Sequence, residues 1–368
     1  MIPVCEPLVT EQDVELVLDC LHSGWISSAG RYLDEFERGW AAYCGMPHGV
    51  AVCNGTTALD IAAELLHMQP GDEVIMPTFT IISCAQSVVR CGGALVLVDS
   101  DARTWQMDVG QVERKITPRT RAIMAVHIYG HPADMDPLLD LAARYNLMVI
   151  EDAAEAHGAE YKGRKCGGLG DISTFSFYAN KLITTGEGGM VLARRDDLAE
   201  RARSLSNLCF QPARRFLHDE LGHNYRLTNM QAALGVAQLR RFDRIVDRKR
   251  AIAHAYTQRL ADAPGLALPV EEPWAKNVYW VYGIVLDETT GLDAAELAQR
   301  LRDRAVDTRP FFLGMHEQPV FHRMGLFRGE HYPVAERMAR RGLYLPSGLT
   351  ITDAEIDQVC DALHACLM

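Results

Sequence analysis

A chain of 368 residues with a formal charge of −11 is long enough for two domains, at roughly 100–200 residues each. Its content of 48% hydrophobic and 23% charged residues excludes a disordered chain, and the acidic balance argues against a nucleic-acid partner, since such binders carry a basic face. No run of about 18 apolar residues is present and residues 1–10 lack the basic and apolar stretches of a secretory signal, so the expectation is a cytoplasmic protein with no membrane partner.

Helical patterns at about 11–21 and 32–44 open the chain and are expected to pack on a large domain. From residue 49 to 193 short apolar runs alternate with helix-like segments. The runs at 49–53, 73–76, 94–98, 122–126, 148–151, 173–176 and 190–193 are rich in Val, Ile or Met and predict strands. Helices are predicted at 57–67, 81–90, 109–116 and 137–145. Such alternation implies an α/β fold with a mostly parallel seven-stranded sheet, whose ligands bind at the carboxyl ends of the strands. A long helical pattern covers 229–260. After a loop at 263–273 come an apolar run at 278–286 and helices at 294–304 and 353–367. The expected division is a large domain over 1–249 and a smaller α+β domain over 250–368.

Two residue counts constrain the chemistry. Only six of the 37 basic residues are lysine, so a deprotonatable amine has few candidates, because arginine keeps its proton. The ten cysteines form no C-x-x-C or zinc-ribbon spacing and read as reduced buried thiols. No metal site is expected. His127 and His131 flank a strand exit rather than a helix face, and His316-Glu317 lacks the second histidine of a zinc motif. The dinucleotide, P-loop and nucleophile-elbow fingerprints are all absent.

Three segments carry chemistry together. In Asn54-Gly55-Thr56-Thr57 a strand runs into a helix start whose amides, hydroxyls and dipole suit a phosphate; a plain helix cap is the other reading. In Ile150-Glu151-Asp152-Ala153-Ala154-Glu155 a strand ends on a carboxylate able to hold a cationic ring nitrogen, with small residues beside it. In Ser173–Gly189 one of the six lysines, Lys181, lies among aromatic, Ser, Thr and Gly residues, where its pKa can fall as Schiff-base chemistry needs. A phosphate cradle, a ring-nitrogen carboxylate and an amine are what pyridoxal phosphate requires.

With these segments in view the sequence resembles the DegT/DnrJ/EryC1/StrS sugar aminotransferases, of the fold-type I pyridoxal phosphate-dependent transferases. The motifs are NGTTAL (54–59), PGDEVIMPTFT (70–80), IEDAAEAHGA (150–159), GDISTFSFYANKLITTGEGGM (170–190) and NYRLTNMQAALGVAQL (224–239). The resemblance implies that Lys181 forms the Schiff base and then shuttles protons, and that Asp152 pairs with the pyridinium nitrogen. Glu155 would lie near the ring hydroxyl, Gly55, Thr56 and Ser176 would hold the phosphate, and Thr57 would be a further cofactor contact. Ile81 would pack on the ring in place of an aromatic residue found in many relatives. Leu313 stands where close relatives tend to have His.

The resemblance also implies a homodimer with composite sites, in which Asn224 reaches the phosphate of the neighbouring subunit's cofactor. Its substrates would be glutamate and a nucleotide-linked 4-keto-6-deoxy sugar, with GDP-4-keto-6-deoxymannose first among them. Trp25, Arg31, His127, Glu187, Arg215 and His316 are the candidates for substrate contact. A dTDP or UDP carrier, a 3-keto sugar, a sugar 3-dehydratase and a non-catalytic relative are the other readings. Lys181 stands against the dehydratase, which carries His there, and Lys181 with Asp152 stands against the non-catalytic relative.

Overall fold

The computed structural model describes residues 1–211 and 213–367. Helix α1 (Glu11–Ser23) starts on a capping box in which the Thr10 amide and hydroxyl donate to the Asp13 carboxylate at 2.6 and 2.9 Å. It stops at Gly24, whose φ of 76° is the left-handed turn that glycine takes freely. Helix α2 (Arg31–Cys44) buries Phe36 and Trp40. Strands and helices then alternate: β1 (His48–Val52), α3 (Gly55–Glu64), β2 (Glu73–Pro77), α4 (Ile82–Arg90), β3 (Ala94–Val98), β4 (Thr120–Val126), α5 (Met135–Tyr145) and β5 (Met148–Asp152). A two-stranded ribbon, β6 (Glu160–Tyr161) and β7 (Arg164–Lys165), leads to β8 (Ile172–Ser176), β9 (Gly189–Ala193) and α6 (Asp196–Ser206).

One seven-stranded sheet takes the order β1-β9-β8-β5-β4-β2-β3. Only β9 runs against its neighbours; β8, β5, β4, β2 and β3 pair in parallel. These are the seven expected strands, each within two residues of its expected ends. Their runs are apolar because both faces are covered: Val74 and Met76 face one core, Ile75 between them the other. The carboxyl ends of β1, β2, β4, β5 and β8 therefore open on one edge of the sheet, as the α/β alternation predicts.

Two helix expectations are corrected. Over 109–116 the chain forms two 3-10 turns, Val109–Gln111 and Glu113–Lys115. The Gly110 amide donates to the Asp108 side chain at 3.0 Å, and this local turn competes with a regular helix in a segment holding Gly and two valines. Over 229–260 there are two helices, α7 (Asn229–Leu239) and α8 (Phe242–Leu260). Arg241 between them leaves helical geometry (φ −122°, ψ 16°), and its guanidinium donates twice to the buried Asp13, at 2.5 and 2.8 Å.

The rest of the chain gives β10 (Leu266–Ala267), β11 (Ala275–Lys276), β12 (Tyr282–Leu286), α9 (Ala294–Arg302), β13 (Arg309–Pro310), α10 (Pro319–Arg323), α11 (Pro333–Arg341), β14 (Gly342–Leu345) and α12 (Asp353–Leu367). A second, antiparallel sheet has the order β10-β12-β14-β13, while β11 reaches back to pair with β6. Helix α8 divides between two cores: Phe242, Ile245 and Val246 join the larger, Ile252, Tyr256 and Leu260 the one under the second sheet. Ile2 belongs to that second core and bridges Val306. Among the described residues no helix is long and apolar enough to cross a membrane, and all ten cysteines are free thiols.

Candidate active site

Where β1 runs into α3, Asn54 caps the helix. Its side-chain oxygen accepts the Thr57 amide at 2.9 Å, and the Thr57 hydroxyl accepts the Asn54 amide at 3.2 Å. Thr57 is thus part of the cap, which leaves Thr56 to face outward; its hydroxyl shares a hydrogen bond with that of Ser83 at 2.9 Å. A Cβ on Gly55 would lie 2.7 Å from the Cβ of Ser176, so only glycine lets the helix start approach the end of β8 this closely. First-turn amides, the helix dipole and the Thr56 and Ser176 hydroxyls converge there, a donor set suited to a phosphate.

Glu151 and Asp152 alternate across β5 and meet different surroundings. Glu151 is completely buried and accepts hydrogen bonds from the amides of Gly167, Leu169 and Gly170, from the Ser173 hydroxyl and from His127. Burial acts to raise it, but His127 and these amides outweigh burial and hold it below the usual carboxylate range. Asp152 faces the cavity: one oxygen accepts the Ala154 amide at 3.1 Å, the other the Cys84 thiol at 2.9 Å.

Glu155 accepts the Tyr129 amide at 2.8 Å; Tyr129 presents it from a left-handed conformation (φ 56°). Burial raises the Glu155 carboxyl and lowers the Lys181 amine; the attraction between the two opposes both shifts. Lys181 Nζ lies 3.5 Å from the centroid of the Trp280 ring, whose indole N–H donates to the Asn180 carbonyl at 2.9 Å. The lysine loop is pinned further: the Thr184 hydroxyl donates to the Phe177 carbonyl, and the Thr184 amide to Gln238.

A cavity of about 700 Å3 brings together Gly55, Thr56, Thr57, Ile81, Asp152, Glu155, Ser176, Lys181 and Glu187. Sequence reasoning missed Ser83, Arg90, Tyr178, Trp280, Phe312 and Tyr344 in its walls. Trp280, Phe312 and Tyr344 come from beyond residue 278, and nothing in their local sequence marks them. Other expected contacts lie elsewhere. Trp25 and Arg31 line a separate concavity of about 800 Å3, where Arg31 pairs with Asp19 at 3.0 Å. Asn224 bridges Asn207, and the Arg215 guanidinium lies 5.0 Å over the Phe210 ring. Leu313 is exposed and outside the cavity walls.

The two histidines require a correction, since neither has a ring nitrogen to spare. His127 is fully buried, accepts the Ala133 amide on Nδ1 and donates from Nε2 to Glu151, each at 3.0 Å. His316 is buried between the Thr78 hydroxyl at 2.8 Å and Glu336 at 3.2 Å. Neither lines the cavity that holds Lys181.

A desolvated lysine, two buried carboxylates and a phosphate cradle at the strand ends define a pyridoxal phosphate-dependent aminotransferase. The chain belongs to the DegT/DnrJ/EryC1/StrS aminotransferase family, whose profile matches residues 7–364. It is 43% identical to GDP-perosamine synthase of Caulobacter vibrioides, over all of this chain and 98% of that protein. It is 38% identical to the dTDP-3-amino-3,4,6-trideoxy-alpha-D-glucose transaminase of Streptomyces venezuelae, over 92% of this chain and 89% of that one. Among solved structures, the aminotransferase TlmJ from Streptoalloteichus hindustanus superposes with a TM-score of 0.93 at 31% identity, covering 100% of this chain and 99% of that one.

Proposed function

We propose that this chain moves the amino group of glutamate onto the C4 carbonyl of a nucleotide-linked 4-keto-6-deoxy sugar, GDP-4-keto-6-deoxymannose being the substrate and GDP-perosamine the product. The observation that carries the reading is Lys181, desolvated and placed with Glu155 and Asp152 in one cavity, in a chain similar from end to end to a GDP-perosamine synthase.

The present residues fit pyridoxal phosphate, because the cradle against Gly55 admits no side chain and the cavity holds the donors and the amine the group needs. Bound there, the cofactor supplies an electron sink for the carbon that exchanges its amine. Gly55, Thr56 and Ser176 would hold its phosphate, Asp152 its ring nitrogen and Glu155 its ring hydroxyl, with Ile81 against the ring. Lys181, whose amine is lowered by burial, would be the residue that accepts the proton and returns it. Tyr178, Trp280, Phe312 and Tyr344 restrict water, and Glu187 stands in the wall as a partner for sugar hydroxyls.

Trp25, Arg31, Arg215 and Asn224 fit a second role, in a homodimer whose sites are completed across the interface. The exposed Trp25 and Ile26 support an interface on that face. Ten free thiols support a reducing compartment such as the cytoplasm. The division into 1–249 and 250–368 is proposed as two units hinged within α8, which contributes to both cores.

Similarity to the dTDP-sugar enzyme favours one second reading, a dTDP-linked sugar aminated at C3. Incubation with glutamate and a panel of GDP-, dTDP- and UDP-linked 4-keto and 3-keto sugars, read by product mass, decides between them. A mass gain at C4 of the GDP sugar is expected. Turnover of a simple keto acid with none of the sugars would sink both readings.

A further inference from the structure

Cys84 is fully buried on α4 and touches the one carboxylate of the cavity expected to face a ring nitrogen. Its Sγ lies 2.9 Å from Asp152 Oδ2 and 3.3 Å from Thr80 Oγ1. An ionised carboxylate only accepts, so the thiol must donate to it. With that proton committed, the Thr80 hydroxyl must donate to sulfur, which fixes the direction of the chain Thr80–Cys84–Asp152. Thr80 itself lines the cavity. Asp152 Oδ1 is held independently by the Ala154 amide at 3.1 Å. Two donors on two oxygens stop the carboxylate from rotating.

We propose that Cys84 is a positioning residue for this reaction: its thiol, oriented by Thr80, sets the angle of the Asp152 carboxylate toward the cationic ring nitrogen of the cofactor. The inference rests on the reading that the ring nitrogen sits at Asp152. Burial and the neighbouring Asp152 charge both raise the thiol, so it remains an S–H donor across the working pH range. A cationic ring nitrogen draws electrons from the chromophore and keeps the pH midpoint of its absorption band near ~420 nm low. A carboxylate free to rotate leaves the ring protonated less often, and that midpoint rises.

The test compares the purified holoenzyme with its Cys84→Ala and Cys84→Ser variants, by spectral pH titration and by equilibrium dialysis of pyridoxal phosphate. Cys84→Ala is expected to raise the midpoint by about half a unit or more and to weaken cofactor binding about tenfold, while Cys84→Ser, which keeps a donor, restores both. An unchanged midpoint and affinity in Cys84→Ala overturns the proposal. So does Cys84→Ser as impaired as Cys84→Ala with the Tm of both at the wild-type value. Should the alanine variant fail to fold, Thr80→Val takes its place; it removes the donor to sulfur and must raise the midpoint, and no change there also overturns the proposal. Failure of the wild-type chain to take up cofactor would instead overturn the reading beneath it.

Discussion

Single side chains decide the chemistry through their surroundings. Lys181 has a lowered amine because burial outweighs the attraction of Glu155 and Asp152. Lys181→Ala should leave the fold intact and reduce amino transfer roughly a thousandfold or more. Borohydride treatment of the wild-type holoenzyme should fix the cofactor on the peptide holding Lys181. The variant should show no such adduct by mass, and an adduct persisting there would refute the assignment.

His157 illustrates the opposite use of burial. Enclosed by Trp40, Phe175 and Phe177, it is pushed down to about 3, by burial first and then by the charge of Lys181. Between the ordinary histidine range near ~6.5 and that value the unfolded chain binds a proton that the folded chain does not. Stability is therefore lost as pH falls through this window, on the order of 3 kcal/mol by about pH 4. His157→Phe should shrink the drop in urea midpoint between neutral pH and pH 4, and an equal drop in both proteins counts against the account. That Lys181 and Asp152 line one cavity was legible because Lys181 is one of six lysines, set in a Ser-, Thr- and Gly-rich loop, and Asp152 ends an apolar strand. His127 and His316 were not, because their partners Glu151 and Glu336 are distant in sequence and only folding shows both ring nitrogens occupied.

At the scale of elements the site depends on how closely α3 approaches β8. Gly55→Ala would place a methyl 2.7 Å from the Ser176 Cβ, a backbone-borne contact with no flexible end to yield. Strain of about 1–3 kcal/mol is expected, together with a splayed phosphate cradle. The measurements are Tm and cofactor affinity by dialysis; affinity should fall more than tenfold. A variant with lowered Tm and unchanged affinity would show that the cradle is not formed at this contact. The strands were readable because doubly buried strands are continuous apolar runs. The 3-10 turns after Asp108 and the break at Arg241 were not: each turns on a side-chain bond, to Gly110 and to Asp13, that periodicity does not register.

On the scale of the whole molecule, Asn224 and Lys181 pose a geometric question. Asn224 forms a backbone bridge with Asn207 and is not among the residues lining the cavity that holds Lys181, although its neighbour Tyr225 is. The exposed Trp25 and Ile26 and the concavity beside them offer a face for a second copy. If sites are completed across a two-fold interface, Lys181→Ala and Asn224→Ala each disable both sites of their own homodimers. A mixed dimer then keeps one intact site, with lysine from one protomer and asparagine from the other, while its second site carries both defects. Random exchange makes about half of the dimers mixed, so about a quarter of wild-type activity should return on mixing two inactive proteins. The check is activity after a denature–renature exchange of equal amounts, beside each variant treated alone. Recovery near that level requires the composite site. Mixed dimers seen by native mass spectrometry without recovered activity would mean that Asn224 and Lys181 act within the same chain, and an Asn224→Ala homodimer active on its own would place Asn224 outside the chemistry.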